Sequence, residues 1–235
     1  MKAHSISRRE FLKNLGIAGS GVILAASPWL SAFSEVTQTN NEKCRLAIIG
    51  PGSRGRFLMS FLIQNPKVEI VALCDIYRAS IEAALKLTPN AKVYGDYHEV
   101  LEDRNVDAIL VATPLSSHCQ IVIDAFDAGK HVFCEKSIGF TMEECFRMYN
   151  KHLNSGKIFF TGQQRLFDPR YIKTMEMIHA GTFGGINAIH TFWNRNGDWR
   201  RPVPSPHLER LINWRLYRDF SKGLMTELAC HQLQI

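Results

Sequence analysis

The feature that most constrains the fold is a regular alternation of short apolar runs with amphipathic helical patterns, which extends from Cys44 to Thr161. The predicted strands are residues 44–49, 68–74, 92–94, 108–112, 131–134 and 158–161. The predicted helices between them are residues 57–64, 78–87, 97–101, 118–128 and 142–153. Strands that alternate with helical crossovers form parallel sheets covered on both faces. The sequence therefore predicts an α/β fold with a doubly wound parallel sheet.

A glycine-rich turn follows the first predicted strand, where residues 50–55 read GPGSRG. In a strand–turn–helix setting, Gly50 permits a tight turn, Gly52 lets a pyrophosphate approach the backbone, and Gly55 lets the helix pack against the strand. Backbone amides at the start of the helix, including those of Ser53 and Arg54, would face the phosphates. The turn predicts a dinucleotide-binding site of the Rossmann type.

The acidic residue after the second predicted strand bears on the choice of dinucleotide. Asp75 lies about 20 residues after Gly55, where a carboxylate can accept hydrogen bonds from the adenosine ribose and repel a 2′-phosphate. An ordinary turn residue is the alternative interpretation, and the neighbouring Tyr77 and Arg78 keep NADP open. NAD is the expected cofactor, with NADP as the less favoured choice.

Three further motifs carry a family resemblance. Residues 74–75 read CD, residues 111–114 read VATP, and residues 129–136 read GKHVFCEK. Together with the glycine turn, they resemble the glucose–fructose oxidoreductase/inositol dehydrogenase (Gfo/Idh/MocA) family. The resemblance implies a Rossmann domain over residues 44–162, and an α/β domain with an open, mainly antiparallel sheet that begins at residues 163–235. It also implies redox chemistry at a sugar or cyclitol hydroxyl. The cofactor residues that it adds are Thr113, Pro114 and Glu135.

The resemblance supplies the catalytic candidates as well. The lysine of the family's Glu-Lys-Pro motif matches Lys136, although Ser137 replaces the proline. Near the end of the chain, Glu227 and His231 match an acidic position and a histidine of the family, four residues apart and so on one helical face. A neutral imidazole could take the hydroxyl proton while the carboxylate orients it. An ordinary ion pair is the alternative, and Gln234 departs from the family's second acidic position.

The composition changes after Gly162. Asp168 and Pro169 predict the start of a helix, residues 186–192 predict a strand, and residues 193–214 are rich in Trp, Arg and Pro. Aromatic faces and arginines suit a carbohydrate pocket, but the same composition fits single-stranded nucleic acid or structural packing. We favour carbohydrate. The substrate-binding candidates are Arg165, Trp199 and Trp214.

The N-terminus has the pattern of an export signal. Residues 7–13 read SRREFLK, and a mildly apolar, glycine-bearing run follows over residues 15–30. This order predicts a signal peptide over residues 1–34 and a polar linker over residues 35–43. The string SRREFLK resembles twin-arginine (Tat) signals, whose carriers cross the membrane folded. A basic amphipathic helix is the alternative. We expect the Tat translocase as an export partner and the periplasm as the location.

Composition limits the remaining classes. The chain is 46% hydrophobic and 21% charged, which suits a globular protein with a sizeable core. No apolar run approaches the roughly 20 residues that span a bilayer, which excludes a polytopic membrane protein. Half of the formal charge of +6 lies in the signal region, so basicity is weak support for a nucleic-acid partner. The six cysteines show no zinc-ligand spacing, and they fit buried thiols better than disulfides. No metal site is predicted.

The resulting hypothesis is a Tat-exported, NAD(P)-dependent oxidoreductase of a sugar or cyclitol hydroxyl with a retained cofactor. One alternative is a redox-neutral glycosidase, because residues 227–232 resemble the Glu-Leu-x-x-His-Gln of NAD-dependent α-N-acetylgalactosaminidases. Another is an inactive nucleotide- or sugar-binding module. The sequence stops at Ile235, within a predicted helix, so we expect a fragment. A full-length form is expected to be a homo-oligomer.

Overall fold

The computed structural model describes residues 43–194 and 196–233. Its centre is a six-stranded sheet in the order β3-β2-β1-β4-β5-β6. The strands are β1 (Cys44–Ile49), β2 (Val68–Cys74), β3 (Lys92–Tyr94), β4 (Ala108–Val111), β5 (His131–Cys134) and β6 (Phe159–Thr161). Every pair of neighbouring strands is parallel. The predicted doubly wound parallel sheet is confirmed.

Five helices cover the two faces of the sheet. They are α1 (Ser53–Leu62), α2 (Arg78–Leu85), α3 (Tyr97–Glu102), α4 (Leu115–Asp127) and α5 (Met142–Ser155). Because side chains alternate along a strand, β1 contributes Leu46 and Ile48 to one face, and Ala47 and Ile49 to the other. The first pair packs with residues of α1 and α2, and the second pair packs with residues of α3, α4 and α5. These two apolar clusters form the core.

The helix termini show why these segments stop and start where they do. The Thr141 hydroxyl accepts the Glu144 amide, and the Glu144 carboxylate accepts the Phe140 amide, so α5 begins with a reciprocal cap. Asp96 accepts the His98 amide at the start of α3. Gly156 ends α5 in the left-handed conformation, at a φ of 63°, which a glycine adopts without steric cost. Side-chain caps and a left-handed glycine therefore set the start of α3 and both ends of α5.

Beyond β6 the described chain consists of short helical segments. They are a 3₁₀ turn (Gln164–Phe167), α6 (Pro169–His179), a 3₁₀ turn (Pro206–Leu208), α7 (Glu209–Ile212), a 3₁₀ turn (Trp214–Leu216), a π-helical turn (Met225–Ala229) and α8 (Cys230–Leu233). Asp168 caps α6 by accepting the Arg170 amide, and Pro169 occupies its first turn, as predicted.

The predicted strand at residues 186–192 is wrong. These residues are exposed and form no ladder with any other described segment. A strand is stable only when its backbone groups pair with a neighbour, and the part of the chain after residue 162 that the structure describes offers none. For the same reason, the antiparallel sheet expected for residues 163–235 is not formed among its described residues.

Two findings concern the whole described chain. No helix among these residues is long and apolar enough to cross a membrane. All six cysteines are free thiols, and Cys74, Cys119 and Cys134 are buried, in agreement with the expectation of buried thiols. The signal peptide and most of the predicted linker lie outside the described residues, as does Gln234.

Candidate active site

The strand order creates a crevice at the carboxyl edge of the sheet. The chain leaves β1 towards one side and leaves β4, its neighbour, towards the other, and ligands of doubly wound sheets bind where the direction reverses. The glycine turn follows β1, and Thr113 with Pro114 follows β4. Gly50 has a φ of 83°, and a Cβ on it would lie 2.8 Å from the Thr113 nitrogen. The two loops are therefore packed directly against each other.

The glycine turn fits the pyrophosphate of a dinucleotide. No side chain in the described chain caps the N-terminus of α1 at Gly52, so its first amides are available to an anion. A Cβ on Gly52 would meet nothing within 4 Å, which leaves open space beside the backbone. A Cβ on Gly55 would lie 2.6 Å from the Gly50 oxygen, so glycine is needed for the helix to approach the strand. The structural roles predicted for Gly50 and Gly55 agree with this geometry, and Gly52 leaves the space that its predicted role requires.

Asp75 stands directly after β2, at the same edge of the sheet. Its Oδ1 accepts the Tyr77 amide at 2.8 Å. Burial raises the pKa of its carboxyl above the usual value, while the Tyr77 amide, Ser80 and the charge of Arg56 act in the opposite direction. The carboxylate therefore has the position predicted for a ribose contact, and one of its oxygens already takes part in the turn.

A cleft of about 530 Å³ brings most of the predicted site residues together. The three catalytic candidates, Lys136, Glu227 and His231, line it. Of the other candidates it includes Ser53, Arg54, Thr113, Glu135, Trp199 and Trp214. The lining does not include Gly50, Gly52, Gly55, Asp75, Pro114 or Arg165. Arg165 instead lines a separate cavity of about 340 Å³ and donates from its guanidinium to the His231 carbonyl at 3.0 Å.

Lys136 is held between the loop after β5 and the π-helical turn. Its ammonium donates to the Glu227 carbonyl oxygen at 2.5 Å and lies 3.9 Å from the Glu227 carboxylate. The next residue, Ser137, donates from its hydroxyl to the Thr226 carbonyl at 2.7 Å. The peptide bond between Lys136 and Ser137 is cis. The substitution of the family's proline by Ser137 thus leaves the lysine in the cleft, with an added hydrogen bond beside it.

The predicted pairing of Glu227 with His231 is wrong. The Glu227 carboxylate contacts Lys136, Arg215 at 3.4 Å and the Ser221 hydroxyl at 3.1 Å, and no hydrogen bond joins it to the His231 ring. The reason is local geometry. The carboxylate of Glu227, in the π-helical turn, is directed towards Lys136, Arg215 and Ser221 rather than towards α8, which carries His231.

His231 is buried, and its ring stacks on Trp193 with centroids 6.2 Å apart and an interplanar angle of 19°. Within the described chain its Nδ1 has no hydrogen-bond partner. Burial lowers the pKa of the imidazole to about 4, with further contributions from the positive charges of Lys136, Arg165 and Arg54. The ring is therefore neutral near pH 7, as a proton acceptor must be.

Arg54 and Glu135 form an ion pair across the cleft, with Arg54 nitrogens 2.8 Å from Glu135 Oε1. Glu135 is buried, and its carboxylate also accepts the Lys136 amide at 3.1 Å. A Cβ at position 162 would lie 2.9 Å from the Glu135 carboxyl carbon, so Gly162 leaves room for it. Glu135 thus connects the glycine-turn helix with the loop that carries Lys136.

Sequence reasoning missed two residues of the site. Arg215, which lines the cleft, had only its arginine-rich surroundings as a signal. His118 is fully buried, and its ring nitrogens lie 2.9 Å from the Ser137 carbonyl and 3.0 Å from the Thr113 carbonyl. A histidine inside an apolar helix pattern, five residues after Thr113, was the available signal. His118 ties the loop after β4 to the loop after β5.

The sheet, the crevice and the glycine turn define a dinucleotide-binding protein of the Rossmann class. Residues 44–163, just over half of the chain, match the Gfo/Idh/MocA family model, which is described as an oxidoreductase family with an NAD-binding Rossmann fold. The chain belongs to this family.

Known proteins give a closer comparison. The chain is similar to inositol 2-dehydrogenase of Salmonella typhimurium, at 33% identity over 65% of this chain and 48% of that protein. It is similar to a glycosyl hydrolase family 109 protein of Stenotrophomonas maltophilia, at 30% identity over 77% and 41%. A solved structure of myo-inositol dehydrogenase from Lactobacillus casei, in complex with NAD(H) and myo-inositol, has 32% identity and a TM-score of 0.57 over 60% of this chain and 43% of that one. The chain spans about half the length of the curated relatives that it matches.

Proposed function

We propose that this protein is an NAD-dependent oxidoreductase that oxidises a hydroxyl group of a sugar or cyclitol. The observation that carries the proposal is the joint lining of one cleft by Lys136, His231 and the loops beside the glycine turn. The similarity to inositol dehydrogenases supports the substrate class.

The side chains of the cleft suit removal of a proton and a hydride from one carbon–oxygen group. Bound NAD would supply the hydride acceptor. The Lys136 ammonium would donate a hydrogen bond to the substrate hydroxyl, which makes its proton more acidic. The neutral His231 ring would take that proton, and the hydride would leave from the same carbon, so that a ketone forms.

The preference for NAD over NADP is part of the proposal. Asp75 supports it, because a carboxylate at the end of β2 would repel a 2′-phosphate. We expect NAD to bind at least about tenfold tighter than NADP, which corresponds to roughly 1.4 kcal/mol. Asp75→Ala should narrow this difference in a calorimetric titration. Asp127→Ala, at the opposite end of the sheet, serves as the matched control. Equal dissociation constants in the unchanged protein would contradict the preference.

The reaction can be tested by the absorbance of reduced nucleotide with a panel of cyclitols and aldoses. The unchanged protein should reduce NAD with at least one of them. His231→Gln should lower turnover by roughly 10²–10⁴-fold, the usual contribution of positioned acid–base catalysis, with the Kd of NAD unchanged. Lys136→Met should act in the same direction. Full activity of His231→Gln on every substrate would overturn this assignment.

A redox-neutral glycosidase is the second candidate. It is favoured by residues 227–232, which read ELACHQ, and by the similarity to glycosyl hydrolase family 109 proteins. In that cycle a transient oxidation would acidify the neighbouring C–H and allow elimination of the glycosidic group. Water would then add to the unsaturated ketone, and the hydride would return to the carbonyl carbon. Release of an aryl group from an aryl glycoside, with no net change in bound nucleotide, would support the glycosidase. Accumulation of reduced nucleotide with a free sugar would support the dehydrogenase.

We also propose that the protein is exported to the periplasm by the Tat pathway with its cofactor bound. The support is the string SRREFLK at residues 7–13 and its resemblance to Tat signals. Replacement of Arg8 and Arg9 by Lys should keep the protein in the cytoplasm, because the paired arginines are recognised by a receptor. An unchanged periplasmic yield in cell fractionation would contradict this proposal.

A further inference from the structure

The inner part of the cleft holds more positive than negative charge. Glu227 is buried, and its single carboxylate faces two cations, Lys136 at 3.9 Å and Arg215 at 3.4 Å. Both cations are themselves largely buried, with side-chain exposures of 15% and 33%. Buried cations need a counter-charge, and one carboxylate shared by two of them leaves a unit of charge without one.

None of the other carboxylates that line the cleft forms an ion pair with Lys136 or Arg215 within the described residues, although the charge of Glu135 also acts on Arg215. Glu135 is paired with Arg54, and Arg200 is paired with Glu209, outside the lining. The last lining carboxylate, Asp198, is exposed and accepts the Arg200 amide at 2.8 Å.

Arg201 adds a further cation to the lining, at an exposed position. In the described part of the chain, its guanidinium has neither an ion-pair partner nor a hydrogen-bond acceptor. Its backbone is fixed, because its amide donates to Asn213 Oδ1 at 2.7 Å and its carbonyl accepts from Asn213 Nδ2 at 3.0 Å. Asn213 is itself buried. The arginine is therefore presented to the cleft from an ordered backbone.

We propose that the substrate carries a carboxylate, as a uronic acid does, and that Arg201 and Arg215 bind it. This inference rests on the proposed function and names its substrate class. Guanidinium groups match the planar geometry of a carboxylate and bind it through paired hydrogen bonds. Trp199 and Trp214 line the same cleft and offer faces for the sugar ring.

The electrostatics of two neighbouring groups agree with this assignment. Burial lowers the pKa of Arg215, and the charge of Arg201 lowers it further, although Glu227 acts in the opposite direction. After burial, the largest contributions to the low pKa of His231 come from cations. An anionic group in the cleft would relieve both effects. The nucleotide phosphates would not be this anionic group, because the glycine turn and the N-terminus of α1 already accommodate them.

The test compares three methyl glycosides that differ only at C6: the glucoside, the glucuronide and the glucuronamide, together with the corresponding galactosides. In at least one series, kcat/KM for the uronate should exceed that for both neutral compounds by about tenfold or more. Arg201→Gln should reduce this uronate-to-amide ratio by about tenfold. Arg218→Gln removes an exposed arginine of the same segment that does not line the cleft, and it should leave the ratio unchanged.

The outcomes distinguish a failure of the carboxylate site from a failure of the proposed oxidoreductase reaction. Turnover of neutral compounds as fast as uronates would overturn the carboxylate site while supporting the oxidoreductase. Weaker NAD binding by Arg201→Gln, with an unchanged substrate ratio, would also overturn it. If no compound is turned over, calorimetry on the NAD-loaded protein measures uronate binding directly. Uronate binding that Arg201→Gln weakens would support the site and contradict the reaction, and the absence of uronate binding would overturn the site.

Discussion

His118 shows how a single side chain can hold two functional loops together. Its ring lies between the carbonyl oxygens of Thr113 and Ser137, and both contacts are buried. Burial lowers the pKa of His118, so the neutral ring has one N–H and donates to one of these oxygens; His118→Phe would leave that oxygen without a donor, at a cost of about 1–3 kcal/mol. We expect the free energy of unfolding to fall by about 1–3 kcal/mol in denaturant titrations. His190→Phe, at an exposed position, should change it little. A loss below about 0.5 kcal/mol at position 118 would show that other donors satisfy these carbonyls.

The low pKa of His231 predicts an unusual pH profile. A proton acceptor works only while it is neutral, so activity is lost as pH falls through its pKa. With a pKa of about 4, the acidic limb of kcat/KM should lie near pH 4 rather than near 6.5, the ordinary value. Initial rates between pH 3.5 and 8 measure this directly, at saturating NAD. His190→Gln should keep the profile, whereas a limb near pH 6.5 in the unchanged protein would contradict the burial of the ring.

The site residues differ in how far sequence could predict them. Lys136 and His231 were found because each belongs to a short local motif. The partners of Glu227 were not, because Lys136 is 91 positions away in the sequence. Arg215 and His118 act through contacts that only the folded chain creates.

At the scale of the element, substitutions in the glycine turn and at the start of α1 can separate an effect on stability from an effect on NAD binding. Gly55→Ala places a methyl group 2.6 Å from the Gly50 oxygen, so α1 must shift, and we expect a loss of about 1–3 kcal/mol of stability. Gly52→Ala meets no protein atom within 4 Å and has an ordinary φ of −62°, so it should cost less than about 1 kcal/mol.

The same Gly52→Ala change should weaken NAD binding by at least about tenfold, because the methyl group fills the space beside the backbone that a pyrophosphate would use. Thermal unfolding and calorimetry on each variant distinguish the two effects. Gly95→Ala, in an open loop, controls for the loss of glycine flexibility. Unchanged NAD affinity in Gly52→Ala would show that phosphates bind elsewhere.

Strands were predicted more accurately than helix starts. Each of the six strand predictions before residue 162 agrees with the structure to within one residue, since an apolar run between turns marks both ends of a buried strand. Helix α1 begins at Ser53, four residues before the predicted start, because a polar first turn has no apolar periodicity. Residues 186–192 have the composition of a strand, but sequence alone could not show whether a neighbour would pair with them.

At the scale of the whole molecule, the thiols report on folding. Burial raises the pKa of Cys44, raises that of Cys74 to about 12 and raises that of Cys134 well above its ordinary value, but of these three thiols only Cys44 is exposed. Thiolates are the reactive form, so Cys44 should react fastest with Ellman's reagent, and Cys74, Cys119 and Cys134 should react only after unfolding. Cys44→Ser should abolish the fast phase, and Cys74→Ser should retain it. Immediate reaction of all six thiols in the native protein would contradict the packing of the core.

The hydrogen bonds from Lys136 and Ser137 to the π-helical turn are accepted by main-chain oxygens, those of Glu227 and Thr226. A carbonyl oxygen is present whatever side chain the residue carries. Substitution of Thr226, or of the exposed Met225, would therefore preserve these two hydrogen bonds while changing the surface nearby. The π-helical turn can therefore accept substitutions without moving Lys136. Directed evolution could use these positions to alter substrate selectivity.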